Sequence, residues 1–519
     1  MTVPVGADRL DRMTNSVTDP GRFAVGWRKY LWLAAGAALG GFALHNDWSI
    51  SIAGWLFLIC LMRFTRSSGI LLGFGCSWLA SAVATVVFLF AGNRFSFGPI
   101  LFGCLAISTI LTLPLLVDRL LFARLTPLLA TLIFPTTRVA TEFLVAAVSP
   151  FGTIFGPLAG TQSANLPLLQ LVSVTGIYGI SFLMAWAAPV ANLALEKRLS
   201  WWKIRTVTLA FTALLGLVLL GGGIRLAVAP AAKQTVRVAG VSSSVQARQS
   251  KQALDNFHTP DVTPDQKPQL RRAFAFVTDD LFLRSTVEAH AGAKIIVWPE
   301  AGALTLHDDL PALLSRAADF ARTQHVYLEM GVGVILDNAP YTRDMAVLVD
   351  PNGKALWEFD KAHPVPGLED FPAGDGKVPV ASTPFGRLAN VICFDADFPG
   401  TLRPSGGQAD IMLVPANDWQ GIEKMHSENA VFRAVENGYS VVRQASNGIA
   451  VTTDNRGVAL ATTNFFSTPQ QNMIAYVPIR GTWTIYSAVG DLFAWLCAAA
   501  MIALCALAIV RPTPTPIQG

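Results

Sequence analysis

The chain has 519 residues, of which 52% are apolar and 14% charged, whereas soluble proteins average about 25% charged residues. This composition excludes an ordinary soluble protein. Residues 30–228 carry 15 charged side chains in 199 positions, whereas residues 229–484 carry 49 in 256. The net charge of +4 does not indicate nucleic-acid binding, because much of the basic excess stands between apolar segments and fits membrane orientation better.

Apolar runs approaching the length of about 20 residues that a membrane helix needs recur along the chain. We predict a helical membrane bundle of about eight transmembrane helices, at approximately 30–45, 48–63, 69–91, 97–117, 125–147, 169–193, 206–228 and 485–510. The predicted organisation is a cytoplasmic N-terminal segment at 1–29, a seven-helix membrane domain at 30–228, a water-facing domain at 229–484, a C-terminal membrane helix at 485–510 and a cytoplasmic tail at 511–519.

Basic residues alternate between the two sets of loops, as expected if Lys and Arg resist translocation. One set contains Arg9, Arg12, Arg22, Arg28, Lys29, Arg63, Arg66, Arg119, Arg124, Lys197, Arg198, Lys203 and Arg205. The opposite loops offer Arg94 and little else. The pattern predicts a cytoplasmic N-terminus, and seven crossings then place residues 229–484 outside the cytoplasm.

One charged pair falls inside a predicted span. Arg138 and Glu142 are four residues apart, which is one helical turn, so the two side chains can pair and lessen the cost of burial in lipid. The pair is either structural or part of the lining of a lipid entry cleft.

The water-facing domain alternates short apolar runs with periodic polar segments. Strands are predicted at 235–241, 294–298, 326–335, 345–349, 387–393, 411–415 and 440–445, and helices at 268–290, 308–324 and 423–438. This alternation is typical of a layered α/β domain. No metal or cofactor is predicted, because the histidines show no ligand spacing with cysteine or acidic partners.

Three reactive residues follow predicted strands or lie at their ends. Glu300 follows the run 295–298, Lys361 follows a predicted hairpin, and Cys393 is the single thiol of the water-facing domain. Taken alone, Glu300 would be interpreted as a structural acid, Lys361 as a surface lysine and Cys393 as an inert core thiol. Together they supply a base, a cation and a nucleophile, which are the groups that covalent acyl transfer requires.

The order and the surroundings of these residues resemble the nitrilase superfamily of carbon–nitrogen hydrolases. The resemblance rests on Trp298-Pro299-Glu300, on Lys361 followed by His363 and Glu369, and on residues 393–399. It implies an α-β-β-α sandwich with a Glu-Lys-Cys triad. The membrane helices narrow the resemblance to the apolipoprotein N-acyltransferase family, supported by residues 141–144 and 170–182 in the membrane part and by residues 417–419, His426, 433–436, Arg443 and 447–448 in the other.

This resemblance implies a function in lipoprotein maturation in the bacterial inner membrane. Cys393 would attack a phospholipid acyl donor to form a thioester, and the N-terminal amine of a diacylglyceryl apolipoprotein would accept the chain. Glu300 would act as general base and acid, and Lys361 would stabilise the oxyanion. Glu369, Phe394, Asp395 and Trp419 are expected to support catalysis or to contact substrate.

The sequence is also compatible with two other functions. One is a membrane-tethered amidase or acyltransferase that uses the same triad on a different amine or amide. The other is a non-catalytic sensor or transporter subunit, which retention of all three triad residues disfavours.

Overall fold

A computed structural model describes residues 26–44, 48–92, 98–252, 262–339, 341–468 and 472–510. The loop residues Arg9, Arg12, Arg22 and Arg94, most of the predicted N-terminal segment and the whole predicted tail at 511–519 lie outside these ranges. The described residues form a helical membrane part and a two-sheet α/β domain, as predicted.

In the described residues, nine α-helices precede the first strand. They are α1 (Arg28–Phe42), α2 (Ser51–Arg66), α3 (Ile70–Val87), α4 (Gly98–Leu121), α5 (Pro127–Val148), α6 (Leu166–Leu169), α7 (Val172–Thr175), α8 (Tyr178–Glu196) and α9 (Trp201–Val228). Two further helices follow the last strand, α15 (Ile485–Val489) and α16 (Leu492–Val510).

Six helices in the described part of the chain are long and apolar enough to cross a membrane. These spans are Ile70–Phe90, Leu101–Arg124, Pro127–Val148, Tyr178–Glu196, Trp201–Val228 and Leu492–Val510. Helices α1 and α2 have 15 and 16 residues and pack against each other as a hairpin. The prediction of about eight membrane helices therefore corresponds to six long helices and one shorter helical pair.

Two predicted spans start later than expected, because a glycine breaks each apolar run. The run predicted at 169–193 is divided at Gly176, whose φ is +63°, and α8 begins at Tyr178. The run predicted at 485–510 is divided at Gly490, whose φ is +59°. A Cβ atom on Gly176 would lie 2.7 Å from the ring of Tyr486, so a larger residue would clash there as well as adopt a disfavoured backbone.

The α/β domain contains two sheets. Their strands are β1 (Thr235–Gly240), β2 (Ile295–Val297), β3 (Ala303–Leu306), β4 (Tyr327–Ile335), β5 (Thr342–Val349), β6 (Ala355–Asp360), β7 (Val380–Thr383), β8 (Gly386–Asn390), β9 (Ile411–Asn417), β10 (Ser440–Ser446), β11 (Ile449–Thr453), β12 (Ala459–Asn464) and β13 (Met473–Pro478). One sheet has the order β13-β1-β2-β4-β5-β6, with β3 also pairing β4, and the other has the order β12-β11-β10-β9-β8-β7.

The two sheets pack face to face around a core of buried apolar side chains. Val238, Ile295 and Leu348 come from the first sheet, and Leu413 and Val442 come from the second. Helices cover the outer faces: α10 (Val245–Gln252), α11 (Lys267–His290) and α12 (Leu310–Gln324) lie with the first sheet, and α13 (Pro399–Leu402) and α14 (Glu423–Asn437) with the second. The predicted α-β-β-α sandwich is confirmed.

Polar contacts join the membrane part to this domain. The backbone N–H of Ile177 donates to Glu436 Oε1 at 3.0 Å, and the hydroxyl of Thr153 donates to the carbonyl of Asp397 at 2.8 Å. Asp397 lies four residues after Cys393. The loop between α5 and α6 is therefore attached to the segment that carries the thiol.

Candidate active site

Glu300 and Lys361 meet inside the α/β domain. Nζ of Lys361 donates to Oε1 of Glu300 at 2.6 Å, and both side chains are buried. Glu300 follows β2 through a turn held by Trp298, whose Nε1 donates to Ser285 Oγ at 2.9 Å. Gly331 on β4 lets this turn approach, since a Cβ atom there would lie 2.2 Å from the carbonyl oxygen of Pro299.

Glu369 reaches the same ammonium from the loop that follows. Its Oε1 accepts from Lys361 Nζ at 2.7 Å, and its Oε2 accepts from the backbone N–H of Val365 at 2.7 Å. Burial raises the pKa of Glu369, while the charge of Lys361 opposes that rise. The contact places Glu369 where it fixes the direction of the lysine side chain.

Lys361 is charged despite its burial. Burial alone would lower the pKa of this ammonium, but its acidic neighbours, Glu300 above all, raise the pKa well above its ordinary value. A permanently charged, desolvated ammonium is the kind of group that stabilises a developing oxyanion.

Cys393 lies at a sharp turn directly after the second sheet. Strand β8 ends at Asn390, three residues before the predicted strand end, because Cys393 begins a 3-10 helix (Cys393–Asp397). Its φ is +43°, a left-handed conformation that is uncommon for a residue with a side chain. Its Sγ lies 3.7 Å from the carbonyl oxygen of Asn417 and 3.9 Å from Asp418 Oδ1.

The surroundings of Cys393 favour its protonated thiol. Burial and the charge of Glu300 raise its pKa well above the ordinary value, while Lys361 acts in the opposite direction. A thiol in these surroundings needs a base before it can act as a nucleophile. Glu300 is the nearby carboxylate whose charge acts on both Cys393 and Lys361.

An ion pair lies on the other side of the sulfur. Asp418 accepts two hydrogen bonds from Arg443, at 2.9 and 2.7 Å, and Nδ1 of His426 lies 3.4 Å from Asp418 Oδ1. Burial alone would raise the pKa of Asp418, but Arg443 and His426 hold it at about 2. Asp418 therefore stays ionised beside the thiol without being free to act as a base.

Phe394 and Asp395 directly follow Cys393 in the chain. Asp395 is fully buried, and its carboxylate accepts from the backbone N–H groups of Ile392 and His363 at 3.0 and 2.8 Å. The Phe394 ring is also buried and packs against Phe398 at 5.1 Å between ring centroids. Asp395 thus connects two loops of the protein.

Trp419 packs against an apolar cluster that joins the segment after Cys393 to the helices of the membrane part. The cluster includes Phe88, Ile154, Phe394 and Met425. Of the residues just named, Phe88, Ile154 and Met425 also line a cavity between α1, α2, α3, α4 and α5, whose empty space, counted together with the open solvent at its mouth, is about 1050 Å³.

Arg138 and Glu142 form the predicted pair, with Nε of Arg138 donating to Glu142 Oε1 at 2.7 Å. Arg138 also donates to the carbonyl oxygens of Leu111 and Gly156, at 2.7 and 2.9 Å, and lines the cavity. The pair therefore ties the loop to the helices, which fits the structural role, and Arg138 also borders the cavity. Its part in lipid entry stays a prediction.

Two groups among the described residues have a spacing that would suit a metal ion. One consists of Cys393, Asp418 and His426, and the other of Glu300, Asp344 and Glu369. In the second group the ammonium of Lys361 already provides the positive charge, and in the first Arg443 engages Asp418. The sequence did not suggest either group, because the members are distant along the chain.

One residue of the site, Asp344, was not predicted from the sequence. Asp344 on β5 has its Oδ2 3.9 Å from Lys361 Nζ, and its carbonyl oxygen accepts from the Lys361 backbone N–H at 3.0 Å. Nothing in the local pattern marks it, because it precedes the apolar run 345–349 as an ordinary polar residue. Only the pairing of β5 with β6 brings Asp344 next to Lys361.

Two family models match most of the chain. Residues 30–190 match the apolipoprotein N-acyltransferase N-terminal domain, and residues 243–476 match the carbon–nitrogen hydrolase model. Each model covers less than half of the chain, and the two matches do not overlap. Their boundary agrees with the change from membrane helices to sheets.

Curated relatives share about a quarter of their residues with this chain. An apolipoprotein N-acyltransferase of Geobacter metallireducens is 26% identical over 69% of this chain and 71% of its own length. One from Rickettsia prowazekii is 25% identical over 56% of this chain and 59% of its own length, so the chain spans less than two thirds of that relative. Among solved structures, an amidase from Nesterenkonia sp. is similar over 48% of this chain and 92% of its own, with 18% identity and a TM-score of 0.37.

Proposed function

Because the chain belongs to the apolipoprotein N-acyltransferase family of the nitrilase superfamily, we propose that it acylates lipoproteins from membrane phospholipid. The donor is a phospholipid acyl ester, and the acceptor is the N-terminal amine of an S-diacylglyceryl-cysteine apolipoprotein. One observation carries the proposal: a buried cysteine, lysine and glutamate lie beside an apolar cluster that continues into a cavity between membrane helices.

Acyl transfer then proceeds in two steps through a thioester. Glu300 takes the proton of the Cys393 thiol as the sulfur attacks the ester carbonyl, and the ammonium of Lys361 stabilises the oxyanion. As the carbon–oxygen bond breaks, Glu300 returns the proton to the departing lysophospholipid oxygen. The backbone N–H of Phe394 is a second donor for the oxyanion.

The second step uses the same groups in reverse. The amine of the apolipoprotein attacks the thioester, Glu300 removes a proton from the attacking nitrogen, and the Cys393 sulfur leaves and recovers a proton from Glu300. An acyl chain in the apolar cavity excludes water from the thioester, which favours the amine over hydrolysis.

The α/β domain is placed on the periplasmic side of the inner membrane in this proposal. The basic loops of the described membrane part hold its first end in the cytoplasm. Helices α1 and α2 enter as a pair, so the side reached after α9 is the same whether or not that pair crosses the membrane. The last span, α16, returns the chain to the cytoplasm.

Mass spectrometry of the purified full-length protein tests this function. Incubation with a phospholipid bearing a labelled acyl chain is expected to add the mass of that chain to the peptide containing Cys393. Later addition of a diacylglyceryl-cysteine peptide is expected to remove it and to yield the labelled amide. A labelled Cys393 that releases free fatty acid, with no amide formed, would contradict acyl transfer and support a hydrolase.

Substitution of the nucleophile completes the test. Cys393→Ser should abolish turnover, because an alkoxide is far harder to form than a thiolate. Cys76→Ser, in a membrane helix and away from the site, serves as the matched control. Near-normal activity of Cys393→Ser would overturn the assignment of the nucleophile.

A further inference from the structure

Two buried carboxylate oxygens beside Lys361 have no hydrogen-bond donor. They are Oε2 of Glu300 and Oδ1 of Asp344, and neither has a partner among the residues that the structure describes. Glu300 is 4% and Asp344 8% exposed, so water does not readily supply the missing bonds. An unsatisfied buried acceptor is costly, and such atoms in a native protein require an explanation.

The two carboxyl groups are also close to each other. One oxygen each of Glu300, Asp344 and Glu369 lies within 4.8 Å of the others, around a single ammonium. Lys361 Nζ contacts Glu300 at 2.6 Å and Glu369 at 2.7 Å, whereas Asp344 is 3.9 Å away. Three ionised carboxylates around one cation would leave a net charge of −2 in a buried space.

We propose that Asp344 is a neutral carboxylic acid that donates a hydrogen bond to Glu300 and so positions the catalytic base. This inference rests on the proposed function, since it assigns Glu300 that role. A proton on Asp344 Oδ1 makes this atom a hydrogen-bond donor, and Oε2 of Glu300 can accept the bond. Both oxygens that lacked a partner are then satisfied. It also removes one of the negative charges that face Lys361.

Among the three carboxyl groups around Lys361, the surroundings of Asp344 favour its protonation over that of Glu300 or Glu369. Glu300 and Glu369 each accept a direct hydrogen bond from the ammonium, at 2.6 and 2.7 Å, whereas Asp344 lies 3.9 Å from it, so a proton on Asp344 removes no hydrogen bond to Lys361. Burial and the charge of Glu300 raise the pKa of Asp344 well above its ordinary value, and Lys361 opposes them from a greater distance. The titratable groups that face Asp344 are Glu300, Lys361 and Glu369, with the Cys393 thiol interacting electrostatically with Glu300 and Lys361.

The neutral acid has a consequence for the reaction. Asp344 keeps its own proton throughout, while the thiol proton moves from Cys393 to Glu300. If Asp344 ionised, a second negative charge would lie beside Glu300, oppose thiolate formation and compete for Lys361. Activity should therefore fall as the pH rises through the pKa of Asp344.

Infrared spectroscopy of the purified full-length protein tests the protonation directly. At neutral pH, the wild-type spectrum minus that of Asp344→Asn should contain the carbonyl stretch of a protonated carboxyl group. Glu358→Gln is the matched control, because Glu358 on β6 is partly exposed beside Arg343 and should contribute carboxylate bands alone. A difference spectrum for Asp344→Asn with carboxylate bands and no protonated band would overturn the inference.

Kinetics separate a positioning role from simple space filling. Asparagine has the shape of the neutral acid and keeps a hydrogen-bond donor, so the rate of Cys393 acylation in Asp344→Asn should stay within about threefold of the wild-type rate. In Asp344→Ala this rate should fall about tenfold or more. The pH profile of Asp344→Asn should lack the alkaline fall assigned to Asp344. An Asp344→Asn profile that coincides with that of the wild type would contradict the proposal.

The infrared result does not depend on the acyltransferase activity. If wild-type protein never acylates Cys393, the proposed function fails while the protonated band still reports the state of Asp344. If acylation proceeds and the band is absent, the proposed function stands and the inference on Asp344 fails.

Discussion

The carboxylate of Asp395 accepts a hydrogen bond from the backbone N–H of His363 at 2.8 Å, which joins the turn that carries Cys393 to the loop that carries Lys361. The other oxygen of Asp395 accepts from the backbone N–H of Ile392 at 3.0 Å. Two segments far apart in the chain thus share one buried charge. We therefore expect Asp395 to set the position of Cys393 relative to Lys361 and to act as a positioning residue.

Asp395→Asn should disrupt this arrangement. One oxygen becomes an NH2 group that faces backbone N–H donors, and we expect a loss of about 1–3 kcal/mol in the free energy of unfolding. Cys393 acylation should slow about tenfold or more, because small displacements of reacting groups are costly. Unfolding and single-turnover measurements check both effects, with Asp375→Asn as the control because Asp375 is exposed beside Lys377. Equal behaviour of the two variants would contradict the positioning role.

The ion pair of Asp418 and Arg443 should make stability depend on pH in the acid range. The pKa of Asp418 is about 2 in the folded protein and about 3.9 when unfolded. A depressed folded pKa contributes stability above the unfolded pKa, and this contribution, about 2 kcal/mol, is lost as the pH falls from about 4 through 2.

Denaturant unfolding between these pH values measures the effect. Asp418→Asn should be less stable at neutral pH and should lose less stability on acidification than the wild type. Asp308→Asn is the control, since Asp308 is 57% exposed. Parallel pH curves for wild type and Asp418→Asn would refute this account of the pair.

The raised pKa of Cys393 predicts how the thiol reacts with a small alkylating reagent. Its alkylation by iodoacetamide should continue to accelerate beyond the pKa of an ordinary thiol, about 8.5. Lys361→Met should slow the reaction further, because the ammonium favours the thiolate. Lys377→Met, which removes an exposed lysine, should leave the rate unchanged. The label is quantified on the Cys393 peptide, and a rate that levels off near neutral pH would show a resting thiolate instead.

Much of the fold follows from hydrophobic patterning, and the triad from the positions of reactive residues near strand ends. Glu300, Lys361 and Cys393 follow apolar strands, so their approach was predictable once two packed sheets were expected. Asp344 was not, because its importance arises from pairing with β6 and from the charges around Lys361. Hydrophobic periodicity also does not predict where an apolar helix is interrupted. At Gly176 the interruption coincides with a close approach to the ring of Tyr486, a contact that the sequence does not show.

The cavity between the membrane helices should determine the length of the donor acyl chain. Ala84 on α3 lines it and is 9% exposed, so Ala84→Leu would place extra side-chain carbon atoms in the space. We expect kcat/KM for long-chain phospholipids to fall about tenfold, with little change for short-chain donors, because a methylene misfit costs about 1–3 kcal/mol.

Ala499→Leu is the matched control for this change. Ala499 is exposed on α16 and does not line the cavity, so the same substitution there should leave both donors unaffected. Competition between labelled long-chain and short-chain donors measures the ratio in one reaction. If Ala84→Leu slows both donors equally, the cavity does not hold the acyl chain and the donor must reach Cys393 by another route.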